Sequence, residues 1–566
     1  MESSIGAILA GLDERQRRAA TLGPGPAQLI APAGSGKTAT LVARIGVLIS
    51  SGVPAARILV VTFNRDAAAE LTHRITARLG LHPGSGGPEV RTLHALARQI
   101  VLDGPRPPRL VADRLPLLRQ ARRRVLARIA TGEDLPSAEE LPSAEELDAV
   151  VSAAILEGRM PDGRIAEVVA AYRDLLSVRG LTDFDGMLAG ALAGLRTDAD
   201  RRRQWQERFS HVLVDEYQDV DGTQVDLVAL LAEPERNLFV VGDDDQTIYA
   251  WRLADVRRIL QFPERYPDAV RIVLETNYRC PPGVVAAADR LIATNRERVP
   301  KRLRAAGHSA SPTGEAATSI MTWALRGPEA TERLATALPG WAAVHGRVAV
   351  LARTRAELGP LLLALLRAGV AHATPVKAPL QAEEVATLLG DLQGIDLAQP
   401  PLPVLLRARS DRGWRRGDPS DAMGEEAHAA LDAAIGWAVG HRRIDGYLAA
   451  FTEAKHRLES LRDPDAPIEV TTVHGAKGRE WPVVVVLGIE VDRFPNKRAL
   501  DDALDPGRAL EEERRLAYVA VTRARERLVL AFDPERPSPF VEELMGRRPP
   551  NRDAAYSPTS AATVSR

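Results

Sequence analysis

A loop of small residues at positions 31–38 constrains the fold of this 566-residue chain more than any other segment. It reads APAGSGKT, follows an apolar run at 28–30 and precedes an amphipathic stretch at 40–49, so it predicts a strand, a phosphate-binding loop and a helix. Free N–H groups at a helix N-terminus face anions, and glycines let the backbone wrap a phosphate. We therefore predict an ATP site, with Lys37 reaching the β- and γ-phosphates and Thr38 binding Mg²⁺. The phosphate-binding residues would be Ala33, Gly34, Ser35, Gly36, Lys37 and Thr38.

Two adjacent carboxylates follow a second apolar run, at 212–214. A phosphate-binding loop needs a metal-holding carboxylate and a base that activates water. We predict that Asp215 holds Mg²⁺ through water and that Glu216 orients and deprotonates the attacking water. The alternative, a solvated strand end, is the usual meaning of such a pair when no phosphate-binding loop precedes it.

The segment 242–252, GDDDQTIYAWR, joins polar and aromatic side chains after the apolar run 238–241. We predict that its polar groups, Gln246 among them, sense the γ-phosphate, and that Tyr249 and Trp251 stack on bases. Extended backbone would put these two rings on one face. They could instead be core residues, but aromatic residues are only 4% of the chain, which favours a stacking platform.

These segments, and others between residues 9 and 545, resemble in order the motifs of the UvrD/Rep/PcrA group of superfamily 1 DNA helicases. The further segments are LDERQ at 12–16, VVTFN at 60–64, RTLH at 91–94, TDFD at 182–185, ETNYR at 275–279, TVHGAKGRE at 472–480 and ERRLAYVAVTRA at 513–524. Each later motif is weak alone, and the Arg-rich stretch 511–527 would more commonly be a solvated helix face. Their order carries the resemblance.

The resemblance implies a role for each matching residue. Nucleotide contacts would be Gln16 on the adenine edge, Tyr278 stacked on adenine, and Gly478 and Glu480 from the segment near the ribose. The catalytic groups would be Lys37, Asp215, Glu216 and Gln246 with two arginine fingers, Arg279 and Arg523. The DNA contacts would be Phe63, Thr92, His94, Tyr249, Trp251, Arg252, Arg353 and His474.

Several positions depart from the group's pattern. Ala31 replaces the first glycine of the phosphate-binding loop, and Ala39 replaces an arginine that touches the nucleotide in many relatives. Arg65-Asp66 stands where relatives often have Asn-Lys; Leu93 replaces a common phenylalanine and Leu253 a common glycine. None removes a catalytic group, so they bear on nucleotide and DNA affinity rather than on ATP hydrolysis.

Composition limits the class of protein. The formal net charge of −1 gives no global basic field, so DNA binding must come from local clusters and stacking. A single cysteine, Cys280, excludes a disulfide framework, a four-cysteine zinc site and an iron–sulfur cluster. The N-terminus has no signal-like pattern and no apolar run has the ~18 residues of a membrane span. We predict a cytoplasmic protein with no membrane contact.

The motif positions predict an α/β fold with two RecA-like P-loop parallel-sheet domains, each carrying a helical insertion. The first domain would comprise 1–103 and 183–273 around an insertion at 104–182; the second would comprise 274–378 and 467–545 around a reduced, 2B-like insertion at 379–466. The second sheet would start at 270–274 and continue with 348–351, 483–487 and 528–531. Within the first insertion, LPSAEE repeats at 135–140 and 141–146, which predicts a lengthened surface linker, and the basic stretch 119–128 would contact DNA or form a solvated helix face. Residues 546–566 would be a disordered tail.

The resemblance implies ATP in a cleft between the two sheets, closed by the arginine fingers, and 3′→5′ movement along one strand. Three functions stay open at this point. The chain could be a helicase for repair, replication restart or defence, acting on single-stranded DNA and duplex junctions. It could be a translocase subunit that serves a protein partner, such as a nuclease or a repair or defence factor, without unwinding alone. It could also be a non-motor ATP-binding scaffold, which the catalytic residues disfavour.

Overall fold

The computed structural model describes residues 2–81, 86–130, 141–307, 319–327, 329–416 and 423–547. They belong to two compact units: the first lies within Met1–Glu275 and Glu297–Lys301, the second within Thr276–Arg296 and Arg302–Arg566. One copy of the predicted tandem (135–140) and most of the predicted tail lie outside the described residues. No described helix is long and apolar enough to cross a membrane.

The first unit is built on a parallel sheet of six strands. The strands of this unit are, in chain order, β1 (Ala27–Ile30), β2 (Ile58–Thr62), β3 (Glu89–Thr92), β4 (Arg109–Leu110), β5 (Leu181–Thr182), β6 (His211–Val214), β7 (Leu238–Gly242) and β8 (Val270–Val273). The order across the sheet is β3-β2-β6-β7-β1-β8. β2 shows why these segments become central strands: Ile58 and Val60 pack into one apolar cluster, while Leu59 and Val61 pack into another. The sequence of a strand that is buried on both faces is a continuous apolar run.

Helices cover both faces of this sheet and form the insertion. In chain order they are Glu2–Ala10, Glu14–Ala20, Lys37–Ser50, Arg65–Leu79, Leu93–Leu102, Leu115–Ala130, Ala144–Leu156, Gly163–Val178, Phe184–Thr197, Ala199–Arg208, Gly222–Ala232, Val256–Leu260 and Phe262–Arg265. The insertion helices enclose a small core of their own, which includes Leu118, Val151 and Tyr172. β4 and β5 pair at its base.

Two predictions for the first unit were wrong. The run at 270–274 does not start the second sheet, because β8 pairs with β1 at the edge of the first sheet; an apolar run shows that a strand is buried but not which sheet takes it. The described copy of the tandem, 141–146, is not a surface linker. Leu141 is buried, and Ser143 and Glu146 form a capping box that begins the helix Ala144–Leu156.

The second unit contains a parallel sheet of five strands. The strands of this unit are β9 (Thr276–Asn277), β10 (Arg304–Ala305), β11 (Ile320–Ala324), β12 (Val348–Ala352), β13 (Ile468–Thr472), β14 (Trp481–Leu487) and β15 (Ala524–Phe532). β11-β15-β14-β12-β13 is the order in the sheet, and β9 pairs with β10 apart from it. The fold class predicted from the sequence, α/β with two parallel sheets and helical insertions, is confirmed. The proposed domain boundaries stay predictions.

The helices of the second unit include four in the stretch predicted as a reduced insertion. The helices among the described residues are Pro282–Ile292, Ala330–His345, Arg355–Ala368, Glu383–Gly390, Pro401–Asp411, Glu425–Ala438, Ile444–Leu461, Lys497–Asp501, Pro506–Val521 and Pro539–Met545. Leu431 and Tyr447, from two helices of that stretch, belong to the same apolar cluster as Val350 and Val485 of the sheet. These helices therefore extend the core of the second unit rather than enclosing a separate one.

Candidate active site

The predicted phosphate-binding loop connects β1 to the helix Lys37–Ser50. Gly36 precedes the helix in the left-handed conformation, with φ of 80°, and Gly34 also has a positive φ of 69°. Only glycine takes this conformation without strain. A β-carbon on Gly36 would also lie 2.3 Å from the side-chain nitrogen of Gln16. The loop therefore requires glycine here for two separate reasons.

Gln16 lies against this loop. It is buried, its Nε2 donates to the carbonyl of Ser35 at 2.9 Å, and its Oε1 accepts from the N–H of Asp13 at 2.9 Å. Asp13 in turn caps the helix Glu14–Ala20. The predicted adenine-reading residue is thus tied to the backbone of the loop, and its role toward adenine stays a prediction.

Lys37 and Glu216 face each other across the site. The Nζ of Lys37 donates to both carboxylate oxygens of Glu216, at 2.9 and 2.8 Å. Burial alone would lower the pKa of Lys37, but the charges of Glu216 and Asp215 outweigh it and raise that pKa above its usual value. Burial, reinforced by the charge of Glu216, raises the pKa of Asp215 to about 7. The three predicted catalytic groups therefore form one electrostatic unit.

The backbone at Glu216 is strained. This residue follows β6 with φ of 54°, in the left-handed region that a residue other than glycine enters only at a cost. Such strain costs about 1–3 kcal/mol and concentrates at functional sites. It turns the chain sharply, so that the carboxylate of Glu216 returns toward Lys37 while its N–H donates to Asp215 Oδ1 at 3.0 Å.

Gln218 connects this group to the next polar segment. Its Nε2 donates to Glu216 Oε2 at 2.6 Å, and its Oε1 accepts the N–H of Asp243 at 3.0 Å. Gln246 donates through Nε2 to Asp243 Oδ2 at 2.6 Å. The prediction that all the polar groups of this segment sense the γ-phosphate does not fit Asp244 and Asp245, because both carboxylates are wholly buried in ion pairs with Lys301.

The residues around the loop fit Mg-ATP. The hydroxyl of Ser35 is buried and has no hydrogen-bond partner among the residues that the structure describes, so a polar atom there is free to meet a phosphate. Mg²⁺ is held in such sites by one or two protein oxygens together with phosphates and water. Thr38 and Asp215 offer that number. In the described part of the chain no group of three or more His, Cys, Asp or Glu side chains could hold a metal by itself.

The predicted base-stacking residues form an aromatic cluster in the same unit. The rings of Phe63 and Tyr249 stack with centroids 5.0 Å apart, and Trp251 meets Tyr249 edge to face at 6.1 Å. The guanidinium of Arg252 lies 4.7 Å from the centre of the Trp251 ring. Trp251 is 60% exposed, so the alternative that it is a core residue is wrong. The cluster offers aromatic faces to solvent.

One local expectation about this segment needs correction. Its backbone is not extended, because Ala250–Arg252 forms a turn of 3₁₀-helix. The rings meet through that turn instead of through strand alternation. Leu253, which stands where relatives commonly have glycine, has a positive φ of 63°, so the chain keeps the glycine-type conformation with a leucine.

The remaining predicted DNA contacts of the first unit lie at the end of β3. Thr92 caps the helix Leu93–Leu102 by accepting the N–H of Ala95 at 3.1 Å. His94 meets the ring of Phe184 edge to face at 5.8 Å, and burial lowers the pKa of His94. Phe184 is 36% exposed and was not among the predicted contacts, although it lies in the quoted TDFD segment. The sequence therefore offered one signal for Phe184, which is an aromatic residue inside a quoted motif.

In the second unit, Thr522 brings both predicted arginine fingers together. Arg279 donates through Nε to Glu480 Oε2 at 2.5 Å and through Nη1 to the carbonyl of Thr522 at 3.3 Å. Arg523 is buried and donates to the hydroxyl of Thr522 at 3.2 Å and to the carbonyl of Val519 at 3.0 Å. The helix Pro506–Val521 is buried along residues 513–521, so the alternative of a solvated Arg-rich face is wrong.

The other predicted site residues of the second unit were assigned to nucleotide binding or to DNA binding. Tyr278 is exposed, Gly478 has a positive φ of 82°, and His474 lies half-buried in a short 3₁₀-turn. Arg353, predicted to contact DNA, donates to both carboxylate oxygens of buried Glu513, with Nη2 at 2.6 Å from Oε1. Its DNA contact stays a prediction, and its guanidinium has a structural partner.

Comparison with known proteins agrees with this arrangement. The family model described as the UvrD/REP helicase N-terminal domain matches residues 12–267, and that of the UvrD-like helicase C-terminal domain matches residues 447–534. The ATP-dependent DNA helicase UvrD2 of Mycobacterium tuberculosis is 32% identical over an alignment that covers 93% of this chain and 79% of that protein. This chain belongs to the UvrD/Rep helicase family.

Two further members of the UvrD/Rep helicase family align over similar lengths. DNA helicase II of Escherichia coli is 27% identical, over 95% of this chain and 88% of that protein. The ATP-dependent DNA helicase UvrD1 of Mycobacterium tuberculosis is 28% identical, over 93% of this chain and 82% of that protein. The family resemblance inferred from the motifs is confirmed.

Three residues of this UvrD/Rep helicase that sequence reasoning did not single out connect its predicted site residues. Gln218 bridges Glu216 to Asp243, Thr522 bridges the two predicted arginine fingers, and Lys301 pairs with the aspartates before Gln246. Thr522 lies inside the quoted segment 513–524, and Gln218 follows the predicted base Glu216 by two residues, so both positions were visible in the sequence. Lys301 lies in no quoted motif, and only the fold brings it to the site.

Proposed function

We propose that this UvrD/Rep-family helicase, which uses ATP to act on DNA, moves 3′→5′ along one strand and unwinds duplex ahead of it. One observation carries the proposal: the loop after β7 bears Gln246 and, a few residues later, Tyr249 and Trp251. A change at the γ-phosphate that moves Gln246 must therefore move the aromatic cluster. The polarity is supported by the resemblance of the motifs, and ATP and DNA by the names of the relatives UvrD2 and DNA helicase II.

In the proposed reaction, Lys37 leaves Glu216 to hold the β- and γ-phosphates as a point charge. Glu216, released from that ion pair, accepts the proton of the attacking water. Gln218 keeps the carboxylate of Glu216 oriented through the 2.6 Å hydrogen bond that the structure contains. Thr38 and Asp215 would hold Mg²⁺, which supplies charge neutralisation for the phosphates when bound.

We assign Arg279 and Arg523 as the arginine fingers that stabilise charge on the transferred phosphoryl group. Arginine fingers contribute about 10³–10⁵ to turnover in nucleotide hydrolases. The hydrogen bonds of both residues to Thr522 support a joint role, because displacement of one guanidinium would disturb the partner of the other. Tyr278 and Glu480 are proposed to contact adenine and ribose.

DNA binding is proposed to use stacking more than charge. Phe63, Tyr249, Trp251 and Arg252 form the cluster that would hold bases, joined by Phe184 beside His94. Base–aromatic stacking contributes about 1–3 kcal/mol per base and tolerates any sequence. With a net charge of −1, the chain would release DNA readily in each cycle.

A second candidate function is a translocase that serves a protein partner and does not unwind duplex alone. The observation that favours it is the helical stretch 379–466, whose helices extend the core of the second unit. In the resembled group this position holds a longer helical subdomain. A partner such as a nuclease or a repair or defence factor would then supply the missing strand separation.

Two substrates separate these functions. Partial duplexes with a 3′ or a 5′ single-stranded tail test unwinding, and single strands with streptavidin at one end test movement alone. We expect ATP-dependent unwinding of the 3′-tailed duplex and displacement of streptavidin from the 5′ end, with Glu216→Gln inactive in both. Displacement without unwinding would select the translocase. Preference for 5′ tails, or activity without ATP, would refute the proposal.

A further inference from the structure

Three consecutive aspartates are buried immediately after β7. Asp243, Asp244 and Asp245 have no exposed side-chain surface, and the last two begin a 3₁₀-turn that ends at Gln246. Three carboxylates in a protein interior are costly unless cations and hydrogen bonds compensate for the lost water. The groups that compensate for them therefore determine the shape of this loop.

The compensating cations come from a short segment, 297–301, far along the chain. Lys301 Nζ lies 2.7 Å from Asp244 Oδ1, 2.7 Å from Asp245 Oδ2 and 3.7 Å from Asp243 Oδ1. Arg298 makes two hydrogen bonds to the carboxylate of Asp245, at 3.0 and 2.8 Å. The ammonium of Lys301 is thus surrounded by all three carboxylates.

The other side of the loop leads to the predicted catalytic residues. Asp243 holds the side chain of Gln246 through Oδ2, and its N–H donates to Gln218, which donates to Glu216 at 2.6 Å. The contact is tight, because a β-carbon on Gly242 would lie 2.6 Å from the Oε1 of Gln218. A continuous set of hydrogen bonds and ion pairs therefore runs from Lys301 to Glu216.

The segment 297–301 occupies a particular place in the chain. It belongs to the first unit, whereas the residues on both sides of it, 276–296 and 302 onward, belong to the second. Its ion pairs are therefore made at a point where the polypeptide returns from the second unit to the first. Burial raises the pKa of Asp243 to about 6, while the charge of Lys301 acts to lower it.

We propose that Lys301 is a positioning residue for ATP hydrolysis: by holding Asp244 and Asp245 it fixes the loop that aims Gln246 and, through Gln218, Glu216. The inference rests on the proposed function, because it needs Glu216 to be the base. Misplacement of a catalytic group by about 1 Å costs roughly 10²-fold in rate. The effect should fall on kcat and leave nucleotide affinity unchanged, because the described ion pairs of Lys301 are with Asp243, Asp244 and Asp245.

The decisive variant is the double substitution Lys301→Met/Asp244→Asn. Lys301→Met alone would leave buried carboxylates uncompensated and could prevent folding, whereas the double variant removes one charge of each sign. Nucleotide-binding sites are counted with a fluorescent ADP, and ATP hydrolysis is measured with single-stranded DNA. We expect a full number of sites with unchanged ADP affinity, and a kcat per site lowered by about 10- to 100-fold.

A matched control distinguishes positioning from stability. Glu543→Gln weakens another buried ion pair, that of Glu543 with Arg514 at 2.9 Å. It should lower the melting temperature and leave kcat per binding site within about twofold of wild type. A folded double variant with wild-type kcat per site would overturn the inference. So would a double variant whose activity loss is wholly explained by fewer binding sites.

Should the double variant not accumulate, Arg298→Gln provides the test, because Arg298 forms an ion pair with Asp245 of this cluster. A lowered kcat with unchanged ADP affinity would support positioning through the aspartates, and an unchanged kcat would overturn it. Wild-type protein without DNA-stimulated hydrolysis would instead contradict the proposed function itself. Failure of the inference on Lys301 and failure of the proposed function are thus seen in different measurements.

Discussion

Phe63 and Tyr249 stack with ring centroids 5.0 Å apart and planes inclined by 21°. One ring follows β2 and the other belongs to the loop after β7, so the contact joins two of the predicted DNA-binding motifs within the first unit. Trp251 extends the pair outward into solvent. This geometry suits the proposed stacking platform, because its outer ring is exposed.

The first prediction concerns that outer member. Trp251→Ala should weaken binding of single-stranded DNA by about 1–3 kcal/mol, with little dependence on base sequence, because every base presents a face for stacking. The melting temperature should change little, since 60% of Trp251 is exposed. Fluorescence anisotropy with oligonucleotides of different composition measures the loss.

Trp205 provides the contrast for Trp251. It is 4% exposed, and truncation of a buried tryptophan costs about 3–5 kcal/mol of stability. Trp205→Ala should lower the melting temperature and all activities together. If Trp251→Ala behaved in the same way, with parallel loss of stability and of DNA-free hydrolysis, the stacking assignment would be wrong.

A second prediction separates the members of the Lys37–Glu216 ion pair. Both Lys37→Ala and Glu216→Gln should abolish turnover, but only Glu216→Gln should retain ATP binding. Lys37 contributes charge to phosphate in both the ground and transition states, whereas Glu216 acts on the attacking water. Equilibrium binding of a fluorescent ATP analogue checks this, and equal loss of affinity in the two variants would argue against the assigned roles.

A third prediction concerns the arginine fingers. Arg279→Ala should lower the turnover number by about 10³-fold or more and should have a smaller effect on DNA affinity without nucleotide. Arg523→Ala should act similarly, with some loss of stability because its guanidinium is buried among backbone acceptors. Phosphate release under saturating ATP measures the effect.

Arg525→Ala is the matched control for the fingers. Its side chain is 57% exposed and lies 3.8 Å from Glu480, so it is a cation close to Arg279 without a role in the proposed reaction. Its removal should change turnover by no more than about twofold, since exposed ion pairs contribute little. Unchanged turnover in both finger variants would show that the second unit does not contribute to hydrolysis.

A fourth prediction concerns pH and Glu357. This carboxylate accepts the N–H groups of Arg353 and Thr354, yet burial raises its pKa from 4.5 to about 7. A pKa above the unfolded value means that the folded state binds the proton more tightly. The contribution of protonated Glu357 to the free energy of unfolding is therefore complete below pH 4.5 and is lost as the pH rises through 7.

Glu357→Gln removes this titration and keeps an acceptor for the N–H groups. The variant should differ little from wild type in melting temperature at pH 5 and should be more stable at pH 8, by up to about 3 kcal/mol. Thermal unfolding at the two pH values compares them. Equal stability of the two proteins at both pH values would contradict the raised pKa.

The sequence was most informative where chemistry is local. The loop 31–38 predicted its strand and its helix, because the residues that bind phosphate are also those that shape the turn. Tyr249 and Trp251 were placed together for a similar reason. The extended backbone predicted between them was wrong, because the segment forms a 3₁₀-turn. A 3₁₀-turn and a strand can both bring such close neighbours together.

Contacts between distant segments could not be predicted. Lys301 meets Asp244 across 57 residues, and Arg353 meets Glu513 across 160. A lone charged residue in a sequence indicates a surface position by default, so its burial in an ion pair appears only once the strands are paired. The same limit explains β8, whose apolar pattern suits either sheet.

Hydrolysis of ATP by wild type and by Glu216→Gln, each with and without single-stranded DNA, tests whether Glu216 is the base of a DNA-stimulated ATPase. We expect DNA to raise the turnover of wild type, and we expect Glu216→Gln to show no turnover in either condition while still binding DNA. Turnover of wild type that does not respond to DNA, or hydrolysis by Glu216→Gln at the wild-type rate, would contradict these expectations.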